Sequence, residues 1–266
     1  MARSAALAFL FFCSFSSTLL PAQTVTPASA SDTVVPISDA LCRDMRATRV
    51  LNPGAPVGCD RLRLVRFSYL GFDGATHDDG ELVVLDAVAD HVLAIFVALR
   101  SRGFPIASAK LMNHFRGSDD ASMAANNTSA FNVRRVEGSN ATSLHAYGVA
   151  IDLNPIQNPY VERGARGLAV DPPAGKGYAR RQDQRPGMAE AAIDVFAHHG
   201  FAQWGGYWPR GIDYQHFQVG RRLAGQLASL PYPKARALFE QHVESVRACI
   251  QAARQKEQRT LGACAL

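Results

Sequence analysis

The sequence has few cysteines, few charged residues and, beyond its N-terminus, no long apolar run. None of the five cysteines stands in a C-x-x-C arrangement, which argues against a zinc site made of cysteines. Charged residues make up 19% of the chain, and the net charge of +5 includes no run of five basic residues, so nucleic-acid binding has little support. No later segment approaches the roughly 18 apolar residues of a membrane span. The chain also has no internal repeat.

The length and the apolar content of the chain define a globular protein. With 266 residues, of which 47% are hydrophobic, the chain can bury a full core. One domain with additions at its ends is therefore the natural expectation.

Residues 1–30 predict a secretory signal peptide followed by a linker rich in Ser, Thr and Pro. Arg3 precedes an apolar stretch, and small residues follow, with possible cleavage after Ala22 or after the ASA stretch at Ala28–Ala30. An uncleaved membrane anchor is the alternative, but serines interrupt the apolar run. Residues 23–40 as a whole have the composition of a linker. We therefore expect an exported protein with no stable membrane span.

The remaining cysteines fit two disulfides. Without Cys13, four cysteines are left, an even number that suits an exported chain and allows three pairings. The pairing that joins sequence neighbours, Cys42–Cys59 with Cys249–Cys264, is the one we favour. It would fasten both ends of the chain.

Hydrophobic periodicity predicts an α+β fold, with a small antiparallel sheet, helices packed against it and a helical C-terminal extension. The predicted strands are 61–70, 81–85, 104–113 and 149–154, with a strand, a loop and a strand over 201–219. The predicted helices are 86–102, 187–199 and 233–259. Long loops are expected at 117–138 and from 162 to 186. The predicted organisation is an N-terminal extension at 31–59, a main domain at 60–220 and a C-terminal extension at 221–266.

The stretch SLHAYGVAIDLN, residues 143–154, holds a histidine and a carboxylate that can meet in space. His145 and Asp152 flank small residues, and a turn at Gly148 would bring His145 beside the strand that carries Asp152. Two imidazoles and a carboxylate are a common ligand set for catalytic zinc, which keeps its fourth position for water. DYQHF, residues 213–217, is the obvious source of the third ligand.

These motifs resemble those of a known enzyme family. The pattern SxHxxGxAxDxN is similar to the zinc signature of the VanY-type D-alanyl-D-alanine carboxypeptidases and related L-alanyl-D-glutamate peptidases, which have the Hedgehog/DD-peptidase fold; it is formed here by Ser143, His145, Gly148, Ala150, Asp152 and Asn154. The stretch from Trp204 to Phe217 resembles the family's second motif. The resemblance covers roughly residues 60–220, and the two motifs stand in the family's order.

The resemblance implies a role for each site residue. His145, Asp152 and His216 would bind one zinc ion per chain, and Asp213 would be the general base. The segment NNTSAFNVRRVEG is similar to the one that carries the family's active-site arginine, which falls on Arg134. Relatives often have a proline where this chain has Arg135, so Arg135 remains the alternative. The arginine would either stabilise the oxyanion or hold a terminal carboxylate.

The function implied by the resemblance is that of a zinc metallopeptidase of the bacterial cell envelope, periplasmic or extracellular and monomeric. Its substrate would be a peptidoglycan stem peptide or a small peptide that contains D-amino acids. A D-Ala-D-Ala carboxypeptidase and an L-Ala-D-Glu endopeptidase remain equally open. A domain of the same fold that keeps zinc but only binds cell wall or protein is the alternative function, and Asp213 argues against it because a structural zinc site needs no free base.

Overall fold

The computed structural model describes Met1, residues 32–136, 138–165 and 167–255, and Cys264. Apart from Met1, the predicted signal peptide lies outside these residues. None of the helices within the described ranges combines the length and the apolar content needed to cross a membrane.

The described residues confirm the predicted α+β class. The helices are α1 (Asp39–Ala47), α2 (Ala89–Ser101), α3 (Asp119–Ala124), α4 (Ile193–His198), α5 (Arg221–Ser229) and α6 (Tyr232–Gln255). The strands are β1 (Thr33–Pro36), β2 (Leu62–Leu70), β3 (Thr76–Leu85), β4 (Ala150–Asp152), β5 (Tyr160–Gly164), β6 (Gly167–Asp171), β7 (Gln203–Trp204), β8 (Ile212–Asp213) and β9 (His216–Gln218).

These strands form three small antiparallel sheets instead of one. Their orders are β1-β2-β3, β4-β9-β7 and β6-β5-β8, with three strands in each. The second and third sheets contain very short strands. The two residues between β8 and β9 connect the third sheet, which carries Asp213, to the second sheet, which carries His216.

The first sheet packs on α2 as the hydrophobic periodicity predicts. Val92, Ile95 and Leu99 of α2 are fully buried at helical spacing, and Phe96 stacks on Phe67 of β2 with ring centroids 4.0 Å apart. The helix ends before Gly103, whose φ of +70° suits a residue without a side chain. This layer forms the support behind the site.

The predicted linker at residues 23–40 is wrong for its last part, where β1 and the start of α1 lie. β1 pairs with β2, and the carboxylate of Asp32 accepts two hydrogen bonds from Arg100, at 2.7 and 2.9 Å. The side chain of Ser38 caps α1 by accepting from the Leu41 amide at 3.1 Å. Polar residues that suggested a linker therefore serve as a cap and an ion-pair partner.

The predicted strand at 104–113 is also wrong. Only one bridge forms there, between Leu70 and Pro105, because proline has no amide hydrogen to continue a ladder. Further along, the Asn127 side chain forms hydrogen bonds with both backbone groups of Lys110: it accepts from the amide at 2.7 Å and donates to the carbonyl at 3.0 Å. A side chain from the next loop thus replaces a neighbouring strand.

Two regions predicted as loops contain regular structure. The region from 162 to 186 contains most of the hairpin of β5 and β6, in which Val161 faces Val170. β5 also pairs with β8, so that Tyr160 faces Asp213. The polar segment at 117–138 includes α3, whose cap is the Ser118 side chain accepting from the Ala121 amide at 3.2 Å. Both elements matter for the site, because each carries or positions a cavity residue.

Within the described residues, one buried core includes residues of the predicted N-terminal extension, main domain and C-terminal extension. It includes Met45 in the predicted N-terminal extension and Phe239 in the predicted C-terminal one. The domain boundaries at residues 60 and 220 remain predictions. The disulfides have the local pairing that we favoured, with Cys42 bonded to Cys59 and Cys249 bonded to Cys264. The first of them joins α1 to the turn that precedes β2.

A histidine pair lies where α2, α4 and α6 meet. His91 Nε2 lies 3.0 Å from Glu240 Oε2, so it carries the hydrogen, and the His199 Nδ1–H donates to His91 Nδ1 at 3.1 Å. Burial, followed by the charges of His91 and Arg247, lowers the pKa of His199 to about 4. The folded protein therefore holds His199 neutral at pH values where an unfolded histidine is protonated.

This pair predicts a loss of stability in acid. Between an unfolded pKa of about 6.5 and the folded value, the unfolded state binds one more proton, so the free energy of unfolding decreases as the pH falls. From pH 7 to pH 5 the wild type should lose about 1–2 kcal/mol more than His199→Gln, measured by urea denaturation. His114→Gln, which replaces an exposed histidine, should lose as much as the wild type. Equal losses in the wild type and His199→Gln would contradict the interpretation.

Candidate metal centre

His145 lies on a single 3-10 turn, Leu144–Tyr147, that precedes β4. The Ser143 side chain begins this turn by accepting from the His145 amide at 3.3 Å. Gly148 ends it with a φ of +67°, and a Cβ there would lie 2.6 Å from the amide nitrogen of Leu85 in β3. Only glycine fits this close approach. The turn predicted at Gly148 is therefore present, and it directs His145 towards β4.

Strand pairing brings Asp152 and His216 together. Asp152 ends β4 and faces His216 in the antiparallel ladder with β9. Directly opposed residues of such a pair place their side chains on the same face of the sheet. This register explains why two residues 64 positions apart share one site.

The three side chains form one buried cluster. His216 Nδ1 lies 2.9 Å from Asp152 Oδ1, and His145 Nε2 lies 3.1 Å from Asp152 Oδ2. The two histidine nitrogens are 3.2 Å apart. One ligand atom from each residue lies within 4.8 Å of the other two, and among the described residues no other group of at least three potential ligands is this close. The cluster can therefore hold a metal ion.

Hydrogen bonds fix which nitrogen of each histidine faces the carboxylate. The Nδ1–H of His145 donates to the Ala130 carbonyl oxygen at 2.6 Å, which leaves Nε2 with its lone pair. The Nε2–H of His216 donates to Gln218 Oε1 at 2.8 Å, which leaves Nδ1 with its lone pair. Gln218 in turn donates to Gln203 Oε1 at 2.8 Å, and this contact fixes the orientation of its amide. Such second partners are what orient histidine ligands in metal sites.

The electrostatics of the cluster favour a bound cation. Burial raises the pKa of Asp152, but the two histidines outweigh it and hold that pKa far below its usual range. Burial lowers the pKa of His216, yet the hydrogen bond and charge of Asp152 prevail and raise it to about 8. The site thus attracts positive charge. Two nitrogens and one carboxylate oxygen suit zinc, and the set leaves a fourth position for water.

A cavity of about 310 Å³ opens over this cluster. Its lining is dominated by polar and charged side chains: Asp119, Arg134, Ser143, Asp152, Tyr160, Asp171, Asp213, Gln215, His216, Gln218 and Arg221, with Met123, Val136, Leu144 and Trp208 as the apolar part. A volume of this size is at the small end for ligand sites in proteins.

Asp213 lies in the same cavity without belonging to the cluster. It ends β8 and is separated from the first residue of β9 by two residues. Its Oδ1 is buried and has no hydrogen-bond partner in the described part of the chain. Burial, and then the negative charge of Asp152, raises the pKa of Asp213 to about 7. The carboxyl group is therefore poised to gain or lose a proton near neutral pH.

A glycine of the second motif holds Asp213 in place. A Cβ at Gly205 would lie 2.3 Å from the Asp213 carbonyl oxygen. The chain around β8 can therefore pack against residue 205 only if that residue is glycine. Trp204 is buried, and its indole N–H donates to the Tyr214 carbonyl oxygen at 2.7 Å.

The two candidate arginines point to different places. Arg134 lines the cavity, and its Nη2 lies 2.7 Å from Asp119 Oδ2 of α3. Arg135 is exposed and donates to Asn140 Oδ1 at 2.8 Å, away from the cavity. Burial raises the pKa of Asp119, and Arg134 opposes this. The geometry therefore brings Arg134, and not Arg135, to the candidate site.

Several cavity residues escaped the sequence analysis. Asp119 stands in a polar segment predicted as a loop, and nothing in its surroundings in the sequence connects it with Arg134. Gln218 and Gln203 meet only because β9 pairs with β7. Arg221 follows the second motif by four residues and was placed in the C-terminal extension. Among these residues, only Gln218 could have been found from the sequence. It stands two residues after His216, and alternating side chains place residues two apart on the same face of a strand.

The fold and the cluster together define a class, namely α+β proteins with a buried His–Asp–His group that can hold a metal ion, beside a further buried carboxyl. Residues 137–219 match the model of a peptidase family described as D-alanyl-D-alanine carboxypeptidase. The match confirms the predicted VanY-type family for this segment, which contains His145, Asp152, Asp213 and His216. No curated protein and no solved structure matches the chain.

Proposed function

We propose that this protein is an exported zinc peptidase that hydrolyses peptide bonds in peptidoglycan stem peptides. The observation that carries the proposal is the buried cluster of His145, Asp152 and His216, whose ligand atoms face one another and are fixed by second hydrogen bonds. These three residues would hold one zinc ion per chain. The peptidase family of the surrounding segment supports the reaction class.

The chemistry divides between the metal and the protein. When bound, zinc supplies a water with a pKa near 7 and polarises a carbonyl. Asp213 takes up the proton released by the attacking water and passes it to the leaving amine, for which a pKa near 7 is suitable. Arg134 places a guanidinium in the same cavity, held by Asp119, where it stabilises the negative charge that develops on the carbonyl oxygen.

Arg134→Lys tests this role. Lysine keeps the charge but loses the planar fork that both pairs with Asp119 and faces the cavity. We expect kcat to fall roughly 10- to 1000-fold while KM changes little, because an interaction made in the transition state is removed. Steady-state kinetics measure this, and Arg135→Lys is the matched control, since Arg135 lies outside the cavity. An effect confined to KM would contradict the role.

Export is part of the proposal. The N-terminal segment has the composition of a signal peptide, and two disulfides suit an oxidising compartment such as the periplasm or the exterior. N-terminal sequencing of the protein recovered from fractionated cells tests it. The proposal requires a cleaved N-terminus near residues 22–30 in the exported fraction, and an intact N-terminus in the cytosol would contradict it.

Synthetic stem peptides test the reaction. The zinc-loaded protein should cleave a pentapeptide that ends in D-Ala-D-Ala, and chelation followed by zinc addition should abolish and restore the cleavage. Loss of the last D-Ala would identify a carboxypeptidase, and a cut between L-Ala and D-Glu an endopeptidase. Full zinc occupancy without any cleavage would instead indicate a domain that binds cell wall or a protein partner.

A further inference from the structure

Arg221 is a second arginine of the cavity, and it differs from Arg134 in its partners. It is the first residue of α5, separated by two residues from the strand that carries His216, and it belongs to the cavity lining. Its Nη1 donates to the Thr142 carbonyl oxygen at 2.7 Å. That contact fixes the side chain against the segment that leads into the His145 turn. Arg221 as a whole is exposed although it lines the cavity.

The charges of the two arginines are balanced differently. Asp119 Oδ2 lies 2.7 Å from Arg134 Nη2, so an acidic side chain of the protein already balances the charge of Arg134. Within the described ranges Arg221 forms no ion pair with an acidic side chain; its one contact is a neutral carbonyl. Arg221 is therefore the cavity arginine whose charge remains available. Its planar fork has the geometry that a carboxylate needs.

We propose that Arg221 binds a carboxylate of the substrate and makes the site specific for peptides that carry one close to the scissile bond. The proposal rests on the proposed peptidase function and adds a substrate class to it. Because the cavity is only about 310 Å³, the carboxylate must lie within a short stretch of the bond that is cut. Two sources share this chemistry, a free C-terminus and the α-carboxylate of a D-glutamyl residue.

Matched peptide pairs distinguish these sources. The first pair ends in D-Ala-D-Ala as a free acid or as an amide. The second pair contains L-Ala-γ-D-Glu with the D-Glu α-carboxylate free or amidated, and both members have an amidated C-terminus. KM and kcat are measured with the zinc-loaded protein. Affinity is measured by calorimetry with Asp213→Asn, so that binding is observed without turnover even if the wild type cleaves neither pair.

The wild type should prefer the acid of one pair by roughly tenfold to a hundredfold in KM, and Asp213→Asn should show the same ratio in calorimetric Kd, the usual effect of a hydrogen-bonded ion pair. Arg221→Gln should reduce this ratio to about one and leave kcat within about twofold. Arg222→Gln, which changes an exposed neighbour outside the cavity, should keep the full ratio. Arg221→Lys should retain part of the ratio between acid and amide. Normal zinc content in Arg221→Lys would show that the His145 turn is intact.

A wild type that does not discriminate within either pair would overturn the proposal, and so would an Arg221→Gln protein that keeps the wild-type ratio. A failure of the proposed peptidase function would give a different result. In that case no peptide would be cleaved, whereas the calorimetric ratio would still report on Arg221.

Discussion

His145→Ala and His216→Ala should each purify without zinc, whereas the wild type should carry about one ion per chain. Each histidine supplies one of only three protein ligands, and the remaining two cannot hold the ion tightly. Activity should fall to background in both variants. Metal analysis by mass spectrometry of the intact native protein gives the stoichiometry, and X-ray absorption should give nitrogen–zinc distances of about 2.0–2.1 Å.

The control for this experiment is His114→Ala, because His114 is exposed and far in sequence from the cluster. It should keep zinc and activity. Circular dichroism must show that the two site variants remain folded, which we expect since Gln218 and the strand pairing of β9 are retained. Full zinc occupancy in a protein that lacks both histidines would contradict the ligand assignment.

Asp213→Asn should separate metal binding from chemistry. Asparagine keeps the shape of the side chain but cannot accept a proton, so turnover should fall by roughly 100- to 10,000-fold. Zinc content should stay near one per chain, because Asp213 stands outside the cluster. In the wild type, kcat/KM should decrease as the pH drops through the pKa of Asp213, at pH 7 or lower because the charge of a bound cation lowers it.

Asp183→Asn, which changes an exposed acid of a loop, should behave like the wild type in both measurements. Loss of zinc from Asp213→Asn would make Asp213 a ligand and would require another role for Asp152. Normal turnover with full zinc would remove Asp213 from the mechanism altogether.

The cluster could be predicted from sequence because its determinants are local. His145 and Asp152 are separated by one turn and one short strand, and Gly148 allows the close approach that brings them together. His216 stands in a second short motif of its own. Periodicity likewise predicted β2 and α2, since their buried positions repeat at the spacing of a strand and a helix.

The remainder of the site depends on contacts between distant segments. Arg134 forms an ion pair with Asp119 of α3, and Arg221 donates to a carbonyl 79 residues away. The hairpin β5–β6 lies in a segment rich in Gly, Arg and Pro, where local composition favours a loop, yet its pairing with β8 positions Asp213. Tertiary pairing overrides local propensity at each of these places.

Mass spectrometry of muropeptides tests the central claim most directly, which is that this cluster performs metal-dependent hydrolysis of stem peptides. Purified peptidoglycan is incubated with zinc-loaded wild type, with Asp213→Asn and with His145→Ala, and the soluble and glycan-bound products are weighed. The wild type should convert stem peptides to one shorter species, by loss of D-Ala or by a cut after L-Ala, and both variants should leave them intact. An unchanged muropeptide profile with fully zinc-loaded wild type, or the same new species with His145→Ala, would contradict the proposed function.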